Sequence, residues 1–128
     1  METFRQFDAV DVFGSTWHVL FKWVQTAISL RHSDTVDVKF ILTAEDGTVA
    51  AKTIAMQHVD LLKLSAELGY ELSDAWCCRL AARHLLQIVS TGEDLGKNLI
   101  TVAYEDLRVH GRAISEEEQA EVRRRGAA

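Results

Sequence analysis

Residues 16–31, Thr16-Trp17-His18-Val19-Leu20-Phe21-Lys22-Trp23-Val24-Gln25-Thr26-Ala27-Ile28-Ser29-Leu30-Arg31, carry two periodicities at once, and the fold turns on which one is real. Trp17, Leu20, Phe21, Val24 and Ile28 fall at i, i+3, i+4, i+7 and i+11, one face of a helix, with His18, Lys22, Gln25 and Ser29 on the other. Trp17, Val19, Phe21 and Trp23 instead alternate, and Trp, Val, Phe and Thr favour strands. The alternation stops at Val24 while the helical pattern continues, and sixteen residues make a long strand. The spacing therefore predicts an N-terminal helix over 16–31. Upstream, Phe4, Phe7 and Val10 recur at a helical interval, yet Val10, Val12 and Phe13 also suit an extended arm. Phe13-Gly14-Ser15 reads as a break, with Ser15 as a candidate N-cap.

Downstream the pattern is cleaner. Val36, Val38, Phe40 and Leu42 alternate with Asp37, Lys39, Ile41 and Thr43, as in a half-buried strand. Asp46-Gly47 then separates two β-type runs, the signature of a hairpin with a type I′ turn, so a hairpin is expected over 35–56. A helical hairpin follows over 57–91. Val59, Leu61, Leu62, Leu64, Ala66 and Leu68 line its first helix, and Gly69 sits just past the end. Ser73 and Asp74 open the second helix, whose stripe is Ala75, Cys78, Ala81, Ala82, Leu85, Ile88 and Val89. A later strand is expected near 99–109. Ser115 and Glu118 match a capping box, with Glu116 and Glu117 at the positive end of a helix and Arg123–Arg125 at the negative end. The expected fold is α+β: an antiparallel sheet packed against the helical hairpin and the 16–31 helix. A single domain over 1–114 is followed by a charged C-terminal helix or tail over 115–128.

Composition narrows the function classes. The 128 residues are 48% hydrophobic and 26% charged, with a formal net charge of −5. That balance is ordinary for a globular domain. An acidic total argues against nucleic-acid partners, whose affinity rests on basic groups facing phosphates. The two cysteines, Cys77 and Cys78, are adjacent, which suits neither a disulfide framework nor a shared metal ion. This points to a reducing, cytoplasmic setting. The opening Met1-Glu2-Thr3-Phe4-Arg5 lacks the form of a signal peptide, and Trp17–Leu30 is too polar to cross a bilayer. Proline is absent, so turns depend on glycine, aspartate and serine.

No motif assigns a chemistry. Residues 61–80 resemble a helix-turn-helix unit in Leu64, Ser65, Leu68, Gly69, Tyr70, Ala75 and Cys78. The groove-facing positions would be Glu71, Leu72, Ser73, Trp76, Cys77 and Leu80, an acid and apolar groups where base readout uses Arg, Lys, Asn and Gln. The five histidines have no metal-binding spacing, though His58, His84, Asp60 and Glu67 remain available for a histidine/carboxylate pocket. Gly92-Glu93-Asp94-Leu95-Gly96-Lys97-Asn98 follows a helix rather than a strand and carries acids, so it is a loop and not a phosphate cradle.

Surplus apolar surface is the one positive signal. Leu72, Trp76 and Leu80 form a second row on a helix that already has a stripe. Trp17, Phe21, Trp23, Leu72, Trp76 and Leu80 are thus the expected interface residues of a non-catalytic interaction protein: an adaptor, regulator or small chaperone-like subunit. Its expected partner is itself, as a homodimer, or another protein. No catalytic, metal or cofactor-binding residue is expected. The alternatives are a helix-turn-helix DNA-binding regulator and a small enzyme or ligand binder.

Overall fold

The computed structural model describes residues 4–27, 34–94 and 96–126. Four strands, β1 (Gln6–Val10), β2 (Thr16–Ala27), β3 (Thr35–Ala44) and β4 (Val49–Gln57), form an antiparallel meander. Two helices follow, α1 (His58–Leu68) and α2 (Asp74–Thr91), and lead to a short strand β5 (Leu99–Thr101). β5 lies beside β4 and runs parallel to it, so the sheet is mixed rather than purely antiparallel. The chain ends in a long helix, α3 (Tyr104–Gly126). Among the described residues, no helix is long and apolar enough to cross a membrane.

The helix expected over 16–31 is a strand from Thr16 to Ala27; positions 28–31 lie outside the described residues. A register shift explains the misleading pattern. Phe21 pairs with Phe40 and Trp23 with Lys39, so Lys22 is an extra residue that moves the later residues of β2 across the sheet. The core side consequently takes Trp17, Val19, Phe21 and then Val24, while Trp23 passes to the opposite side. A bulged strand thus buries positions i, i+4 and i+7, as a helix would. β-branched and aromatic content was the sounder guide.

The β1–β2 and β3–β4 turns share one construction. Gly47 N–H donates to the Ala44 carbonyl at 3.0 Å and Gly14 N–H to the Asp11 carbonyl at 3.0 Å. Gly47 and Gly14 have φ of 90° and 82°, a conformation a side chain disfavours. Asp46 keeps negative φ, so the turn over residues 44–47 is the three-residue type with left-handed glycine rather than type I′. The hairpin itself is where its sequence places it.

The helical hairpin over 57–91 is also present. Gly69 and Gly92 close α1 and α2 in the left-handed conformation, at φ of 72° and 81°. The Ser73 hydroxyl accepts from Trp76 N–H at 3.2 Å and caps α2. The strand expected near 99–109 stops at Thr101. From Tyr104 the chain is helical, with Leu107, His110, Gly111 and Ile114 buried at i, i+3, i+4 and i+7. Ser115 therefore stands within α3 and opens no separate helix. One core joins the sheet to all three helices: Val38, Phe40, Ile54, Leu61, Leu64, Leu80, Leu85, Ile88, Leu107 and Ile114 are essentially inaccessible.

Candidate interaction surface

Alternation gives the sheet two unlike faces. Phe7, Ala9, Trp17, Val19, Phe21, Val24, Val36, Val38, Phe40, Leu42, Ala50, Ile54, Met56 and Ile100 belong to the core against the helices. Among the described residues, no helix covers the other face. Its rows follow from the strand register. Gln6, Leu20, Ile41 and Ala51 lie side by side, then Trp23, Lys39, Thr53 and Leu99, with Asp8, His18, Thr43 and Val49 on the opposite side of the first row. Leu20, Val49 and Leu99 are 49%, 63% and 59% exposed, while Trp23 and Ile41 are half-buried. The Lys39 ammonium lies 5.9 Å from the centre of the Trp23 ring, a cation–π contact on this face. His18 Nδ1 meets Asp8 Oδ1 at 2.7 Å near its rim.

The six expected interface residues do not share a surface. Trp17 is half-buried on the core side, its Nε1–H donating to Asp11 Oδ2 at 3.0 Å. That bond, with those from the Ser15 and Phe13 amides, holds the Asp11 carboxyl below its ordinary range. Phe21 packs edge-on to Phe4 and Phe40. Trp76 is 4% exposed and stacks on Tyr70 at 5.9 Å, Leu80 is fully buried, and Leu72 packs partly against the core. The second apolar row of α2 is therefore satisfied inside this chain. Trp23 is the one member on the open sheet face. The signal that would have found its neighbours was available: Leu20 and Ile41 sit among polar residues in the alternation, on the side opposite the core set.

The same burial bears on the helix-turn-helix reading. Trp76, Cys77 and Leu80, three positions that would face a groove, are 4% or less exposed. Among the described residues, the thiols, Glu67 and His84 are each engaged in separate contacts. Burial pushes the Cys77 thiol up to about 12 and Cys78 up to about 11, so both stay protonated and neither is a ready nucleophile. Glu67 accepts from the Tyr104 hydroxyl and from Arg108, and these bonds lower its pKa. His84 Nδ1 instead meets His110 Nε2 at 3.1 Å, joining α2 to α3 in the interior. Burial lowers both imidazoles, His110 to about 4 with the neighbouring His84 adding to the effect. The pair is neutral at pH 7. Among the described residues, no cluster of three or more His, Cys, Asp or Glu is placed to hold a metal ion.

One hollow of about 280 Å³ opens between the β1–β2 turn, the sheet and the end of α2, lined chiefly by Trp17, Leu42, Ala50 and Val89. Lys52 reaches it from the core side of β4, only 5% exposed, and its ammonium donates to the Lys97 carbonyl at 2.7 Å. Burial lowers its pKa. The volume is at the small end of ligand sites, and the ammonium ties Lys97 to the sheet.

No protein-family model, curated protein or solved structure matches this chain.

Proposed function

We propose that this chain is a non-catalytic protein–protein interaction protein, an adaptor, regulator or small chaperone-like subunit, whose docking surface is the open sheet face. The observation that carries the reading is the uncovered face itself, with Leu20, Trp23, Ile41, Val49 and Leu99 set in adjacent rows. Antiparallel sheets tolerate one solvated face, but that face is then ordinarily polar. Contiguous apolar groups rimmed by polar ones mark a binding surface instead. Asp8, His18, Gln25 and Asp37 supply such a rim. The chemistry of several other groups supports the same reading, since the His84 and His110 imidazoles and Glu67 are tied into internal contacts and the two thiols are held protonated.

A photo-crosslinking residue placed at Leu20 tests this, with one at Val122 on the far part of α3 as the control. Discrete protein adducts at position 20, absent at 122, are the expected result. Adducts confined to 122 would overturn the assignment of the surface.

A further inference from the structure

We infer that the occupant of the open sheet face is a second copy of this chain, packed sheet on sheet about a two-fold axis that runs along the strands between β2 and β3. The inference rests on the reading of that face as a docking surface.

Area is the first argument. Each strand residue covers about 16 Å² of sheet plane, so β1–β4 present roughly 600 Å² per copy. Two copies bury about 1,200 Å² before side-chain relief is counted, above the roughly 1,000 Å² that a specific interface needs. The exposed apolar groups of α1 are worse placed. Val59 and Leu62 on α1 share their helix with Lys63 and Glu67, and Glu67 is drawn into pairs with Arg108 and Arg112 of α3.

Charge complementarity is the second argument, and it selects the axis. A two-fold along the strands keeps each row in place and exchanges β2 with β3 of the other copy. Leu20 then opposes the partner's Ile41, the two largest aliphatic groups near the middle of the face. Trp23 opposes the partner's Lys39, extending the ring–ammonium contact already made within one copy. Gln25 opposes the partner's Asp37, and His18 the partner's Thr43. Neither Lys39 nor Asp37 meets its own copy, so the pairing avoids like charges face to face. Aligned packing of two twisted sheets, offset by about 30°, accommodates this arrangement. The same isologous pattern is the usual form of a protein dimer.

Light scattering on the full chain across a dilution series reads the outcome. The wild-type chain is expected at twice the chain mass, and Leu20→Glu and Ile41→Glu each at the monomer mass, with unchanged far-UV circular dichroism. The dimer dissociation constant should rise by about a hundredfold or more, since an unpaired carboxylate would be buried. Leu62→Glu, on the opposite side of the molecule, should remain dimeric. Mixing Leu20→Glu with Ile41→Lys should restore the dimer mass, because those positions oppose each other; failure to restore it would overturn the stated register. A dimer that survives both sheet-face carboxylates would overturn the inference. A wild-type monomer at every concentration would do so as well, and the crosslinker at Leu20 then separates the two ideas. An adduct with a different protein leaves the docking surface standing without the second copy, and no adduct removes both.

Discussion

His84 and His110 are polar residues buried in the interior, 4% and 5% exposed. Their rings meet edge to face at 5.3 Å, inside the α2–α3 contact. A neutral pair can share one N–H between Nδ1 and Nε2, but two imidazoliums would set two N–H groups against each other. The facing charges are mixed: Asp106 raises both pKa values and Glu93 and Asp94 raise that of His84, while Arg83 lowers that of His110. Burial outweighs them. The folded pKa lies below the unfolded value of about 6.5, so the unfolded chain binds more protons between the two. The stabilising effect is complete above about pH 6.5 and is lost as pH falls toward about 4. Urea titrations at successive pH values should show stability declining through that window. In His110→Leu the decline between pH 6.5 and 5 should be distinctly shallower, and an unchanged slope would mean that other groups dominate.

At the scale of elements, α3 shows how one small residue sets a packing distance. A Cβ built on Gly111 would lie 2.8 Å from Leu68 Cδ1 and 3.0 Å from Leu64 Cδ2, so α1 and α3 approach as closely as glycine permits. Leu64 is fully buried and has little room to retreat. Gly111→Val should therefore cost about 1–3 kcal/mol by overpacking, despite removing a glycine from a helix interior. Chemical denaturation checks it, and a gain in stability would mean that the helices separate freely. Further along α3, Glu118 accepts from the Tyr70 hydroxyl at 2.6 Å and from Arg79, while Glu117 pairs with Arg83. Those bonds hold Glu118 below its ordinary pKa, with the Tyr70 contribution the larger. They dock a helix whose second half has almost no apolar stripe. Ser115 and Glu118 have capping-box spacing and do lie in a helix, but that helix starts eleven residues earlier, at Tyr104. The apolar spacing that marks the earlier start is Leu107, His110, Gly111 and Ile114, which are buried in α3.

For the whole molecule, the decisive property is that one core spans sheet and helices. Trp76 and Leu80 extend that core and do not lie at its margin. Trp76→Glu should consequently abolish the cooperative thermal transition rather than yield folded monomers. The lost burial costs about 3–5 kcal/mol before the carboxylate is counted, against a usual total of about 5–15 kcal/mol. A cooperative transition in that variant, followed by circular dichroism, would return Trp76 to the list of interface candidates. Tyr70, which stacks on Trp76, also reaches Glu118, so the site couples α2 to α3.

The sequence by itself determined the hairpin over 35–56, the two-helix unit and its glycine ends, and the α+β class. Those features rest on local physics: alternation, caps and positive-φ glycines act within a few residues. The tertiary structure decided what depends on partners distant in the chain. A bulge at Lys22 moved β2 across its own sheet, and that displacement needs β3 beside it to exist. Pairing with β4 made Leu99–Thr101 a parallel strand. The choice of which apolar residues stay outside was likewise collective. Trp76 and Leu80 of α2 and the Leu20–Ile41 pair of the sheet are all apolar, and the placement of the helices on one side of the sheet buried the first two and left the second pair on the open face.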